Sequence, residues 1–380
     1  MKSPRGASLG SRRAHLVAAP IEGGVVHHVL DLVRFDPLGP PDVVLPPWPG
    51  LDAAARRFAA AGARLHRLRP APRAGGVTAW LATTPVDLVH VHFATPHDGT
   101  EAVAAALERG IRVVTTDHVC ATGDDESDAR WEQRRRLAGR QAALVADSRA
   151  VSSALEARLG RPVQVLAHGI DAAHFETPAE RRAARARFGI PSAARVVGSL
   201  GALFSAKGMH RLVEAAAVLG PDVVVLVAGE GPERPRLESL GRDLGVELRL
   251  PGWQDDVRPA LAAMDVFALA SDSEGLPTAV LQAMAAGVPV VALETGGVGE
   301  ALGGCGVGVP PGDAPAFAAA LAAVLHGSVD AKRNAARERV RTCFDVRRLA
   351  RDVAALHAAV LAAPSPEPLP ARQPTSKWTP

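Results

Sequence analysis

Short, continuously apolar runs alternate along this chain with longer stretches in which apolar residues recur every three or four positions. In the first half the strand-like runs are Ala14–Ala19, Asp42–Leu45, Asp87–His92, Arg112–Asp117, Ala143–Asp147 and Pro162–Ala167. Between them lie helical stretches, among them Val25–Val33, Thr100–Arg109 and Arg149–Leu159. The second half repeats the alternation. Strand Arg195–Gly198, helix Gly208–Leu219, strand Val223–Ala228, helix Glu233–Leu244, strand Glu247–Leu250, helix Val257–Met264 and strand Val266–Ala270 follow one another. Strands this short and this apolar are buried on both faces, and helices between them make the connections parallel. The pattern predicts two doubly wound α/β domains with a cleft between them, joined through the charged, alanine-rich segment Glu176–Gly189. Closing helices are expected at Ala314–Leu325 and Val346–Ala362, the last crossing back to the first domain. The expected division is a flexible 1–13, domains over 14–178 and 190–340, a returning helix within 341–363, and a proline-rich disordered tail from 364 to 380.

Composition agrees with two cores. At 380 residues the chain is long for one. With 47% hydrophobic and 22% charged residues it is globular. A formal charge of +3 is too small to argue for nucleic acid. No window reaches the roughly 20 apolar residues of a membrane span, and no apolar core follows the basic start MKSPRGASLGSRR. Cys120, Cys305 and Cys343 are odd in number and lack CxxC spacing, which reads as reduced thiols in a cytoplasmic protein.

The densest candidate chemistry lies in SDSEGLPTAVLQAMAAGVPVVALETGGVGE, residues 271–300. A strand ends there in a loop carrying Asp272 and Glu274. Pro277 is then placed at the first position of a helix whose apolar face is Val280, Leu281, Met284 and Ala285. Gly287 and Pro289 stop that helix before the apolar strand Val288–Leu293. A loop at a strand's carboxyl end that opens into a helix N-terminus is an anion site, because unpaired N–H groups and the helix dipole face it. Lys207-Gly208 begins another helix after a strand, where a mobile ammonium suits a phosphate or is merely solvated. Gly23-Gly24 before the first helix is either a close-approach turn for a ligand or, more simply, a tight turn needing positive φ. No stretch completes a Walker A or GxGxxG fingerprint, Gly198-Ser199-Leu200-Gly201 included.

His90 and His92 alternate onto one face of a strand, but without a third ligand at helical spacing no metal is expected. His118 should emerge at a crevice rim as a hydrogen-bonded loop histidine. Asp124–Asp128 reads as a solvated acidic turn. Arg130–Arg140 reads as a solvated helix face, with an acceptor or weak peripheral membrane patch as the second reading.

These segments together resemble the family 4 retaining glycosyltransferases, from about Ala14 to Ala362. The strongest part is SDSEGLPTAVLQAMAAGVPVV, similar to the family's E-x7-E segment. EGGVVHHVLDL, DLVHVH, VVTTDH, ADSRAV, VLAHGIDAAHF, SAKG, VAGEGPE and GWQDDV support it in the family's order. The resemblance implies the GT-B fold of two Rossmann-like domains and a nucleotide-sugar donor of UDP or GDP type. The acceptor would be a glycan, a lipid-linked glycan or a small metabolite, and no metal or other cofactor is implied. It gives Glu274 to a donor-sugar hydroxyl, with Gly275 and Leu276 beside it. The N–H groups around Thr278 and Ala279, with Lys207, go to the diphosphate. Gly23 and Gly24 border the phosphate, His118 lies beside the reacting carbon, and Glu300 borders the sugar pocket. Retention by front-face attack is implied, since no nucleophilic carboxylate stands out. Two positions depart from the family's pattern. Gln282 replaces the second glutamate of E-x7-E, keeping an acceptor oxygen without its charge. Ala202 replaces an arginine five residues before the lysine, which leaves Lys207 as the expected cation. A catalytically weak nucleotide-sugar-binding subunit of another transferase is the second reading and a sugar-nucleotide epimerase the third.

Overall fold

The computed structural model describes residues 11–19, 23–69, 75–119, 128–176, 179–327, 330–364 and 367. The chain divides into two compact units. One holds residues up to Asp147, Ser152–Leu166 and Ala350 onward; the other holds Ser148–Val151 and Ala167–Leu349. The segments 1–10 and 368–380, expected to be flexible or disordered, and Cys120, Glu22 and the acidic residues 124–127 lie outside the described residues.

The first unit is built on seven strands, β1 (Arg13–Ala18), β2 (Asp42–Leu45), β3 (Arg64–Arg67), β4 (Leu88–Phe93), β5 (Arg112–Asp117), β6 (Ala143–Ala146) and β7 (Gln164–Val165). Their order in the sheet is β3-β2-β1-β4-β5-β6-β7, and every pairing is parallel. Side chains alternate across the sheet. Leu16, Val89, Val91 and Val113 therefore face the helices Gly75–Thr83 and Thr100–Leu107, while Val17, Val43 and Leu45 face Gly24–Phe35 and Asp52–Ala60. β3 is an edge strand of alternating polarity, held through buried Asp42, whose carboxylate meets Arg12 and Arg64 at 3.0 Å and His66 at 2.5 Å. Burial alone would raise that carboxyl's pKa, but the hydrogen bonds from His66, Arg12 and Arg64 outweigh it and hold it below the ordinary value.

The second unit has six parallel strands, β8 (Arg195–Leu200), β9 (Val223–Ala228), β10 (Glu247–Gly252), β11 (Val266–Leu269), β12 (Val290–Leu293) and β13 (Val307–Val309), ordered β10-β9-β8-β11-β12-β13. Strand order reverses at β1/β4 in one sheet and at β8/β11 in the other, and in open sheets ligands gather at the carboxyl ends of such reversals.

Three sequence expectations change. Within the segment expected to join the domains, Arg181–Arg187 is a packed helix of the second unit. Glu180 caps its N-terminus, and Arg185 is buried with Asp265 at 2.7 Å, an acceptor the local sequence does not reveal. Pro277 is not the first helical residue but the N-cap, with ψ of 105°, and the helix runs Thr278–Ala286. The closing region holds an additional charged helix, Asp330–Cys343. The final helix Val346–Ala362 begins in the second unit and belongs to the first from Ala350 onward. Among the described residues no single helix is long and apolar enough to cross a membrane.

Candidate functional site

The C-terminal ends of β8 and β11 bring two loops of the second unit together. Ser205–Lys207 is one turn of 3-10 helix, and Gly208 then turns the chain into the helix Met209–Leu219. Across from it runs Ala270–Pro277, tied down at four points. Asp272 N–H donates to Ala206 O at 2.8 Å. Arg211 donates to Ala270 O at 2.7 Å and pairs with the Asp272 carboxylate at 2.7 Å. Lys207 Nζ pairs with Glu274 Oε1 at 2.6 Å. Further along, Gly297 N–H donates to Glu274 O at 3.3 Å. Glu274, Gly275 and Leu276 are buried, while Lys207, Thr278, Ala279 and Gln282 stay partly exposed beside them. No side chain caps the helix Thr278–Ala286, so its first N–H groups are left for an acceptor from outside the helix. His168 Nε2 lies 3.5 Å from Thr278 Oγ1.

The close approach explains Gly208. Its φ is +62°, and a Cβ there would fall 2.0 Å from Ala270 O, a backbone atom that cannot turn aside. Gly208→Ala should lower the melting temperature by several degrees, at about 1–3 kcal/mol for a strained left-handed position, and displace Lys207. A thermal scan showing no change would contradict that packing.

The other sequence-derived residues fall as follows. Glu300 lies in the same unit, and its carboxylate accepts from Arg149 N–H at 2.8 Å. Gly23, Gly24 and His118 belong to the first unit. Gly23 has φ −177° and ψ −160°, so it needs no positive φ and the tight-turn reading fails; a Cβ there would meet nothing within 4 Å. His118 is buried rather than at a rim. Its Nδ1 lies 3.4 Å from Asp147 Oδ2, and its Nε2 is 3.4 Å from His92 Nδ1. His92 Nε2 in turn meets His15 Nδ1 at 2.9 Å. A carboxylate behind an imidazole fixes its tautomer and orientation. The solvated-face reading of Arg130–Arg140 also needs correction. Trp131 and Arg134 are buried, and Arg134 makes a two-pronged pair with Asp117 at 2.9 and 3.0 Å, just before His118. A carboxylate buried at a strand end draws the arginine inward, while Arg130, Arg135 and Arg136 remain exposed. A cavity of about 450 Å³ beside that helix is lined by Trp131, Arg135 and Arg158 and shares no residue with the loops that follow β8 and β11.

Sequence reasoning missed Arg211. Ala202 suggested a site with one cation, yet a second, Arg211, stands in the first turn of the helix Met209–Leu219 and pairs with Asp272 of the facing loop, a contact that no local spacing announces.

Two parallel-sheet domains with anion-type loops at the strand reversals define a GT-B protein. A family model described as Glycosyltransferase Family 4 matches residues 22–174, and one described as Glycosyl transferases group 1 matches residues 194–327. The chain belongs to the group 1, family 4 glycosyltransferases. It is 42% identical over 145 residues to the lipopolysaccharide core biosynthesis glycosyltransferase LpsE of Rhizobium meliloti (strain 1021), covering 37% of this chain and 42% of that one. It is 32% identical over 224 residues to the putative teichuronic acid biosynthesis glycosyltransferase TuaC of Bacillus subtilis (strain 168), covering 57% and 55%. The chain thus matches about half the length of these curated relatives. The crystal structure of Anabaena HepE in complex with UDP and glucose superposes with a TM-score of 0.80 at 19% identity, over 92% of this chain and all of that one.

Proposed function

We propose that this protein transfers a sugar from a nucleoside-diphosphate sugar of UDP or GDP type to a glycan, lipid-linked or small-molecule acceptor, with retention of anomeric configuration and no metal at the donor site. The observation that carries the reading is the Lys207–Glu274 pair, 2.6 Å apart beside an uncapped helix start. The main chemical task is to stabilise charge developing on a departing diphosphate. Lys207 and the N–H groups of Thr278 and Ala279 offer positive charge and donors for it. The bond from the anomeric carbon to the phosphate oxygen breaks while the acceptor oxygen bonds to the same face of that carbon. The acceptor's proton passes to a leaving-phosphate oxygen. Glu274, released from Lys207 as the ammonium turns to phosphate, takes a sugar hydroxyl. Arg211 holds the loop that carries Glu274. In the first unit His118 is oriented by Asp147, and the family resemblance gives it the place beside the reacting carbon. The names of LpsE, a lipopolysaccharide core biosynthesis glycosyltransferase, and TuaC, a putative teichuronic acid biosynthesis glycosyltransferase, favour sugar transfer, and the UDP and glucose bound to HepE favour this donor chemistry.

A thermal-shift screen against UDP, GDP, ADP and dTDP tests it, followed by hydrolysis of the matching nucleotide sugar. One nucleotide should raise the melting temperature by several degrees at a hundredfold excess over its Kd. Silence from all four would remove the reading. Binding without turnover, across donors and acceptors, would instead favour the partner-subunit reading that Gln282 and Ala202 suggest. Gln282→Glu should tighten nucleotide binding about tenfold if a ribose sits against this helix, since a carboxylate accepts more strongly than an amide oxygen. Unchanged affinity by calorimetry would move the ribose elsewhere.

A further inference from the structure

Six histidines are buried in the first unit, and the donor chemistry uses one of them. His15 on β1 and His90 on β4 are register partners on the two central strands of the sheet, and His357 comes from the final helix. One ring nitrogen from each lies within 4.8 Å of the other two. We propose that His15, His90 and His357 form a binding site for one transition-metal dication of the zinc class, pinning the final helix to the middle of the sheet.

Four observations carry this. His90 Nδ1 and His357 Nε2 are 3.0 Å apart. Two imidazole nitrogens on a tetrahedral ion sit about 3.4 Å apart, and neighbours on an octahedral one about 2.9 Å, for bonds of about 2.0–2.1 Å. The remaining nitrogen of two ligands is already engaged from behind: His90 Nε2 with Thr116 Oγ1 at 2.7 Å, and His15 Nδ1 with His92 Nε2 at 2.9 Å. Such outer partners fix ring orientation and leave one nitrogen of each ring for an ion. His357 Nδ1, the ring nitrogen away from His90, is buried with no hydrogen-bond partner among the described residues, so the ring's hydrogen can sit there and leave the Nε2 lone pair, 3.0 Å from His90 Nδ1, for the ion. Burial, then the neighbouring basic groups, holds all three rings well below the ordinary histidine pKa, and the neutral imidazole is the form that ligates. An all-imidazole donor set suits Zn²⁺, Co²⁺, Ni²⁺ or Cu²⁺ and not Mg²⁺ or Ca²⁺. None of these residues belongs to the donor loops, so this site is independent of the metal-free transfer proposed above.

The test uses untagged full-length protein, stripped with a chelator and dialysed. Co²⁺ titration should give a saturating visible absorption band at one equivalent. Zn²⁺ in hundredfold excess over its Kd should raise the melting temperature by about 5 °C, and Mg²⁺ should not. His357→Gln should lose both the band and the shift while the exposed-site variant His326→Gln keeps them. No band and no shift with wild-type protein would overturn the site, as would full retention of both in His357→Gln. X-ray absorption on zinc-loaded wild-type protein gives a reading that needs no variant. Three imidazole ligands are expected, and an oxygen-only shell would reject the assignment.

Discussion

Glu274→Gln should lower turnover of the donor sugar by about 10²–10³-fold, the size of effect seen when one preorganised polar group of a transition-state site is removed. The melting temperature should move little. Lys207 is 35% exposed, so solvent screens most of what the ammonium loses when the carboxylate 2.6 Å away becomes an amide. Lys207→Ala is the harsher change for the fold, because the Glu274 side chain is only 11% exposed and loses its cation in a buried loop. It should cost about 1–3 kcal/mol of stability and a similar factor in turnover. Because the two residues act on one leaving group, the double variant should lose less than the product of the single losses. Steady-state kinetics with the nucleotide sugar found in the thermal screen decides the matter. Near-wild-type turnover in Glu274→Gln would end the assignment of this loop to the donor.

Acid should unfold the first unit over a narrow range. Burial foremost, then the neighbouring basic groups, holds His15, His90, His92 and His357 well below the ordinary histidine pKa. The unfolded chain protonates these rings near pH 6.5, whereas the folded chain keeps them neutral. Below that pH the unfolded state binds more protons, so stability falls as pH falls and is fully present above it. Each ring contributes up to about 1.4 kcal/mol per pH unit, and four together up to about 5 kcal/mol per unit. Against a typical stability of about 5–15 kcal/mol, that removes the fold within one to three units. Hydrogen exchange on the amides of β1 and β4, followed from pH 7.5 to 4.5 with EDTA present, should show protection collapsing below pH 6. Constant protection down to pH 5 would mean that the rings accept protons in place.

The sequence revealed most of the second unit because its strands are uninterrupted apolar runs, such as VVVLVA in β9, whose boundaries match the expectation. β3 was hidden because RLHR, at a sheet edge, buries little and carries charge. β13 is three residues with a glycine in the middle. The helix Asp330–Cys343 is half charged and buries Ala336 and Val340 with little periodic signal between them. Lys207 and Glu274 were legible as chemistry, though their pairing joins positions 67 residues apart and no local rule announces it. The same limit applies more strongly to the histidines. His90 and His92 looked like an incomplete pair because His357 lies 267 residues from His90.

That separation bears on how the protein is made. The first unit takes in chain from Ala350 onward, including the buried His357. The half that leaves the ribosome first is therefore finished last. At synthesis rates of about 5–20 residues per second, about 180 further residues must be added after Leu166 before the final helix can dock. For roughly 10–40 seconds the early strands stand without their last wall, while the second unit's strands can complete their sheet first.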